Sequence, residues 1–283
     1  MGGTVVERER KGVVTDGKGD ARIVQLKSGH PGPCFFLVPG TGGRIEGFAT
    51  LAALLQTSMP VFAIEARGVS GSSEPDNNID ELVNHYIQRI RDIQPQGPYF
   101  LLGHSFGGMV VFEIAQNLMA HKEHVACLIL LDTVTPKKDW PLSFYMANIW
   151  TRVRSHFQRI SHNTLRNSVT YYSRRLILRR YGLHGIPTDL KMGTDVARML
   201  LANEMLGKKW KPKFYPGKMT LFCAPETKRL ASVWSNRVAE LDNHFSAGGH
   251  VNLIEQPYVS SLAADISTCL RHAVVPPMSG VSV

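Results

Sequence analysis

Residues 94–108 read QPQGPYFLLGHSFGG and place a glycine-flanked serine between an apolar run and a helical pattern. Residues 99–102 predict a buried strand, and residues 106–121 predict the helix that follows it. Ser105 stands in the G-x-S-x-G turn between the two. A serine on such a tight strand-to-helix turn projects its hydroxyl from the edge of the sheet, and the small residues around it let the turn close. The stretch therefore predicts that Ser105 is a nucleophile.

Short apolar runs alternate with helical patterns on both sides of this turn. Further strands are predicted at residues 34–38, 61–64, 127–131, 219–223 and 241–246, and further helices at residues 44–56, 79–94 and 257–273. Asn78 or Asp80 could cap the second of the four helices. Continuous apolar runs are typical of strands that are covered on both faces. The pattern predicts an α/β fold with a mostly parallel central sheet flanked by helices.

One domain accounts for most of the 283 residues, of which 43% are hydrophobic. That length and composition suit a single large core over residues 21–273. The alternation breaks at residues 137–213, which carry helical, basic and aromatic-rich stretches, and we interpret this segment as a helical lid insertion. Residues 1–20 and 274–283 are predicted to be flexible tails.

The positive charge of the chain is concentrated in one segment. Residues 137–215 contain 16 Lys and Arg against 4 Asp and Glu, a net charge of +12, whereas the whole chain carries +9. Such a segment is either a solvated helical face or a docking surface for an acidic partner. Nucleic acid is the less favoured partner, because the segment is an insertion beside a hydrolytic motif.

The order of residues along the chain identifies partners for Ser105. In folds with this turn, an acid follows a later strand and a histidine follows the acid. Asp132 comes directly after the run at residues 127–131, and Glu226 is the alternative acid after the next run. His250 lies in a glycine-rich loop before the last helix, which favours it as the general base. His244, His272 and His104 are other histidines near these elements; we interpret the first two as structural, and we expect the side chain of His104 to point away from the Ser105 hydroxyl.

An oxyanion hole is predicted from two backbone N–H groups. The residue after the nucleophile, Phe106, supplies one of them. The second is expected in the loop after the first predicted strand, where residues 38–43 read VPGTGG. Its glycines let the backbone turn an N–H toward the serine, and we assign that N–H to Thr41.

Other features exclude several classes of protein. The four cysteines form no C-x-x-C pair, and three lie beside or within apolar runs, so we expect buried free thiols in a reducing cytoplasm and no metal site. The sequence has no H-E-x-x-H motif and no run of about 18 apolar residues, so no membrane span is expected. The N-terminus has no apolar stretch of the kind found in secretory signals.

The motifs together resemble the thioesterase domains of nonribosomal peptide, polyketide and fatty acid synthases, the type I thioesterases of the α/β-hydrolase superfamily. The resemblance covers residues 22–135 and 217–270, and it is strongest in QPQGPYFLLGHSFGG at residues 94–108. Residues 33–40, PCFFLVPG, are similar to the strand and oxyanion loop of that family. The Gly249-His250 pair and Asp132 stand where the family places its histidine and its acid.

The resemblance implies a serine thioesterase with Ser105, His250 and Asp132 as its catalytic residues. The substrate would be an acyl, polyketide or peptidyl chain on the phosphopantetheine arm of an acyl or peptidyl carrier protein, with no cofactor bound directly. Release would occur by hydrolysis or by cyclisation, and the carrier protein would dock on the basic lid. The alternatives are a discrete editing thioesterase, a carboxylesterase or lipase that acts on oxygen esters, and a non-enzymatic binding protein on the same scaffold.

Overall fold

The computed structural model describes residues 14–15, 22–69, 73–135 and 194–274. The predicted lid at residues 137–213 therefore lies mostly outside the described residues, as do both predicted tails apart from residues 14–15 and 274. Among the residues that are described, no helix combines the length and the apolar character that crossing a bilayer requires.

Within the described residues, eight strands form one mixed sheet in the order β1-β2-β4-β3-β5-β6-β7-β8. Six of them, β3 to β8, run parallel, whereas β1 and β2 join one edge by antiparallel pairing. The strands span β1 Val14–Thr15, β2 Ile23–Lys27, β3 Phe35–Val38, β4 Val61–Ile64, β5 Tyr99–His104, β6 Val125–Leu131, β7 Tyr215–Cys223 and β8 Val238–Phe245. The predicted α/β architecture is thereby confirmed.

Six helices accompany the sheet within the described part of the chain. They span α1 Phe48–Leu54, α2 Ile79–Ile93, α3 Phe106–Ala120, α4 Thr194–Lys209, α5 Leu230–Trp234 and α6 Val259–Val274. Helix α2 shows why the sequence forms them. Its buried residues repeat at three- and four-residue spacing, and the Asn78 side chain caps its N-terminus by accepting a hydrogen bond of 2.8 Å from the N–H of Asp80.

Two hydrophobic clusters cover the two faces of the sheet. Side chains of α2, α3 and α5 pack against one face, and side chains of α1 and α6 pack against the other. Strands β3 and β4 are buried along their whole length, because neighbouring strands and helices enclose them on every side. Helix α3 contributes nine buried residues, so the element that follows Ser105 is anchored deep in the core.

The parallel strands bring the predicted site residues to one edge of the sheet. Ser105 joins β5 to α3, Asp132 follows β6, and His250 lies between β8 and α6. The loop that contains Thr41 follows β3, which pairs with β5. Because the carboxyl ends of parallel strands share one edge, these segments converge there, where α/β folds generally place their ligands.

Candidate active site

Ser105 adopts a strained backbone conformation, with φ of 55° and ψ of −115°. A residue without glycine's freedom rarely occupies this region, and such strain is concentrated at functional sites. The two flanking glycines make the turn possible. A Cβ atom on Gly103 would lie 2.1 Å from the carbonyl oxygen of Gly107, and one on Gly107 would lie 2.2 Å from that of Val38. The chain can therefore form this turn only if both residues are glycine.

The imidazole of His250 contacts the Ser105 hydroxyl. The distance between His250 Nε2 and Ser105 Oγ is 3.0 Å, and the other ring nitrogen, Nδ1, lies 2.5 Å from Asp132 Oδ2. A carboxylate can only accept, so Nδ1 carries the proton and the Nε2 lone pair faces the serine hydroxyl. This is the arrangement in which an imidazole removes a proton from a serine.

The Asp132 carboxylate is fully buried and is held by three donors. Its Oδ1 accepts a 2.9 Å hydrogen bond from the Ala224 N–H and another from the Thr227 hydroxyl, while Oδ2 faces His250. Burial by itself raises the pKa of this carboxyl, but the hydrogen bonds from His250, Thr227 and Ala224 outweigh burial, and the pKa lies below its usual value. Asp132 is therefore ionised at neutral pH and can stabilise a protonated imidazole.

Two residues fix the backbone of His250. Its N–H donates a 2.7 Å hydrogen bond to Glu226 Oε1, and its carbonyl oxygen lies 3.1 Å from His104 Nε2. Glu226, the alternative acid, thus contacts the main chain of His250, whereas Asp132 contacts its ring. The loop is held on both sides, which restricts the directions in which the imidazole can point.

The other histidines lie elsewhere. His244 is in β8, where its ring stacks on Phe222 with a centroid separation of 4.9 Å. His272 is exposed near the end of α6. The ring of His104 is partly buried and contacts the carbonyl of His250, not the Ser105 hydroxyl. Burial, followed by the proximity of His250, lowers the pKa of His104 to about 4, so this ring is neutral at physiological pH.

The two proposed oxyanion donors lie in segments beside the serine. Phe106 is the first residue of α3, and the leading N–H groups of a helix have no partner within it. The Thr41 loop lies close to the serine, because a Cβ atom on Gly40 would lie 3.5 Å from Ser105 Cβ. That loop is closed by a 2.9 Å hydrogen bond from the Gly43 N–H to the Gly40 carbonyl. The position of this loop beside Ser105 is compatible with an oxyanion hole.

Sequence reasoning missed Asn203, which supports the Thr41 loop. Asn203 lies on α4, is 2% exposed, and donates a 2.8 Å hydrogen bond from its side-chain amide to the Thr41 carbonyl. Met199, one turn earlier on the helix, packs beside Gly43. The two residues in the hydrogen bond are 162 positions apart, so no local pattern indicates it.

The chemistry of the site follows from this geometry. A hydroxyl faces a basic nitrogen, an ionised carboxylate orients the ring, and the start of α3 and the Thr41 loop lie beside the serine. Such a set suits transfer of an acyl group to the serine and from there to a second nucleophile.

Comparisons with known proteins relate this chain to one family. The family described as "Thioesterase domain" matches residues 34–270. Malpinin synthetase of Mortierella alpina is 38% identical over 122 residues, which are 43% of this chain and 2% of that protein. The dimodular nonribosomal peptide synthase of Bacillus subtilis (strain 168) is 36% identical over 110 residues, 39% of this chain and 5% of that protein. The matches thus span only a small part of these relatives.

Solved structures share the fold. A covalent complex of the NocB thioesterase domain with a fluorophosphonate nocardicin G analog has a TM-score of 0.61 at 23% identity, covering 87% of this chain and 96% of that one. The Vlm2 thioesterase domain bound with a dodecadepsipeptide has a TM-score of 0.59 at 21% identity, covering 90% and 98%. The resemblance seen in the sequence is confirmed, and because the family match extends over most of the chain, this protein belongs to the thioesterase domain family.

Proposed function

We propose that this protein is a serine thioesterase that takes an acyl, polyketide or peptidyl chain from the phosphopantetheine thioester of a carrier protein and then releases it. The observation that carries the proposal is the chain of hydrogen bonds from Ser105 through His250 to the buried Asp132. The name of the Bacillus subtilis relative supports the substrate class, since that protein is a nonribosomal peptide synthase.

In the first step, His250 Nε2 accepts the Ser105 proton while Oγ attacks the thioester carbonyl carbon. The carbonyl oxygen becomes negatively charged and is stabilised by the N–H groups of Phe106 and Thr41. When the intermediate collapses, the carbon–sulfur bond breaks and the thiolate receives the proton from His250. The products are an acyl ester on Ser105 and the free thiol of the carrier arm.

In the second step, water, or a hydroxyl or amine of the chain itself, repeats the attack on the ester carbonyl. His250 accepts the proton of this nucleophile and returns it to Ser105 Oγ as the ester bond breaks. Water gives a free acid, whereas an internal nucleophile gives a ring. The two outcomes share every residue named above and differ in what reaches the ester carbonyl first.

The test is covalent capture followed by a substrate comparison. Intact-mass measurement after incubation with an acyl-pantetheine thioester should show an acyl adduct on Ser105 that is missing in Ser105→Ala. Turnover of acyl-pantetheine is then compared with turnover of a p-nitrophenyl ester of the same acyl group. A strong preference for the oxygen ester, unchanged when the acyl group is carried on a holo carrier protein, would overturn the proposal in favour of a carboxylesterase.

The same proposal assigns the docking of an acidic carrier to the basic segment. Its described part includes Lys208 and Lys209 at the end of α4, followed by Lys211 and Lys213, and all four are exposed. Opposite charges raise the rate of encounter between partners. Replacing the four lysines with glutamate should lower kcat/KM for the carrier-bound substrate about tenfold or more, with little change for acyl-pantetheine alone.

The single variant Lys211→Glu has a matched control in Arg271→Glu near the end of α6, which is also exposed and changes the net charge by the same amount. The docking assignment predicts that this control retains the activity on the carrier-bound substrate. If the lysine and arginine variants lose carrier-dependent activity equally, net charge alone explains the effect and the docking surface lies elsewhere.

A further inference from the structure

A second group of potential ligands lies on β8 and α6. Asp242 and His244 are two residues apart on β8, so their side chains share one face of the strand. Cys269 approaches them from α6. The carboxylate oxygen, ring nitrogen and sulfur all lie within 4.8 Å of one another, and all three residues are partly exposed. Sequence analysis predicted no metal site, because strand and helix supply these ligands from distant positions.

The separation of these donor atoms is close to that of a tetrahedral metal site. Zinc bonds of about 2.0–2.3 Å place neighbouring ligand atoms roughly 3.3–3.8 Å apart. The present separations therefore require each donor to move by about an ångström or less, which side-chain rotation supplies. Mixed nitrogen, sulfur and oxygen ligands are typical of zinc, whereas calcium and magnesium select oxygen alone.

The ring of His244 indicates that a partner belongs at this position. Its Nε2 atom is buried and forms no hydrogen bond with any described residue, although it lies 3.0 Å from Asp242 Oδ1. The two atoms are close, but the alignment of a hydrogen bond is missing. Two ligands of one cation lie close together without a hydrogen bond between them, because each directs a lone pair at the metal. The stack on Phe222 limits how far the ring can turn away.

The surrounding charges are compatible with a cation. The carboxylate of Asp242 supplies a negative charge beside the Cys269 sulfur. Lys218 is the neighbouring cation, and its ammonium group lies 2.6 Å from Glu240. Asp265 adds a further negative charge nearby. The local excess of acidic groups favours a divalent ion.

We propose that Asp242, His244 and Cys269 bind one zinc ion, with water as the fourth ligand. On binding, the Cys269 sulfur loses its proton to solvent and forms the metal–thiolate bond. The ion would join β8 to α6, the two elements on either side of the loop that contains His250. Its role is thus to hold that loop between fixed ends, and it takes no part in acyl transfer.

Thiol reactivity offers the sharpest test, since Cys269 is the one cysteine of the four that is not buried. The full chain is stripped with a chelator and titrated with zinc alone, against a chromophoric competitor, while alkylation of Cys269 is followed by peptide mass spectrometry. We expect one zinc per chain, at least tenfold slower alkylation of Cys269, and reversal by chelator. Cobalt in place of zinc should give a thiolate-to-metal charge-transfer band.

Variants decide whether these residues are the ligands. Cys269→Ser and His244→Gln should each weaken zinc binding at least tenfold. His272→Gln, on the exposed end of the same helix, is the matched control and should bind normally. Retained affinity in both ligand variants would overturn the proposal. Loss of zinc in His250→Ala alone would do so as well, since it would place the metal at the catalytic ring. If Cys269→Ser does not fold, the zinc affinity of Asp242→Asn and the protection of Cys269 from alkylation in the wild-type protein test the proposal instead.

Discussion

The ring of His104 donates a hydrogen bond from Nε2 to the main-chain carbonyl of His250, over 3.1 Å. A carbonyl can only accept, so the proton of the neutral His104 ring resides on Nε2. The residue beside the nucleophile thereby holds the backbone of the base, and the two rings lie 5.5 Å apart. Burial and the nearby His250 keep His104 neutral, since its protonation would set a second positive charge beside an imidazole that becomes positive during the reaction.

A first prediction concerns the dependence of stability on pH. The pKa of His104 is about 4 in the folded protein and about 6.5 in the unfolded chain, where burial and His250 no longer act. Between these pH values His104 is protonated in the unfolded chain but not in the folded protein. The free energy of unfolding therefore falls as the pH decreases from about 6.5 to about 4. At pH 5 the loss relative to pH 7 amounts to about 2 kcal/mol from this residue.

Comparing the wild-type protein with His104→Gln measures the part of the decrease in unfolding free energy that is due to His104. Glutamine keeps an N–H donor for the His250 carbonyl and does not titrate, so the variant should be less sensitive to pH by about the same 2 kcal/mol. Urea unfolding of both proteins at pH 7 and pH 5 measures the difference. Equal loss of stability in the two proteins would contradict the assignment of a neutral, buried His104.

A second prediction separates the two carboxylates around His250. Asp132 faces the ring through Oδ2, whereas Glu226 accepts from the main chain. Asp132→Asn should lower kcat about 10⁴-fold, because an amide at this position favours the wrong tautomer of the ring. Glu226→Gln keeps an oxygen acceptor for the His250 N–H and should cost about tenfold or less. Steady-state turnover of an acyl-pantetheine thioester measures both, and equal losses of kcat would refute the distinction.

The buried strands and the nucleophile could be predicted from local sequence patterns. The buried strands were predicted because they are continuous apolar runs, and Ser105 because Gly103 and Gly107 are required by its turn. Strand β8 was predicted only from residue 241, since Ala239 and Glu240 are exposed at the edge of the sheet. Helix α5, with five residues, is too short to show a helical period.

The contacts that orient the site escaped prediction for a different reason. Thr227 reaches Asp132 from 95 residues away, and Asn203 reaches Thr41 across 162. Both depend on where the sheet places distant segments, and neither has a sequence pattern of its own. The nucleophile motif can be recognised from the sequence. The residues that hold Asp132 and the Thr41 loop in position are seen only in the structure.

A third prediction tests the support that α4 gives to the oxyanion loop. Asn203→Ala removes the hydrogen bond to the Thr41 carbonyl and leaves that partly buried carbonyl without this partner. Loss of one such bond costs about 1–2 kcal/mol, so kcat should fall about tenfold while KM changes little. Asn236→Ala, at an exposed asparagine, is the matched control. A change in KM alone would show that Asn203 acts on substrate binding and not on the loop.

A final prediction concerns the second glycine after the nucleophile. A Cβ atom on Gly108 would lie 1.7 Å from Thr133 Oγ1 and 2.8 Å from Thr133 Cβ, so α3 can pack against the segment after Asp132 only because residue 108 has no side chain. Gly108→Ala should therefore destabilise the fold by about 3 kcal/mol through overpacking, in spite of the higher helix propensity of alanine. Chemical denaturation measures the loss. The double variant Gly108→Ala with Thr133→Gly removes the obstructing side chain and should recover part of it, because residues in contact couple. If the two substitutions prove additive, the collision with Thr133 is not what excludes a side chain at position 108.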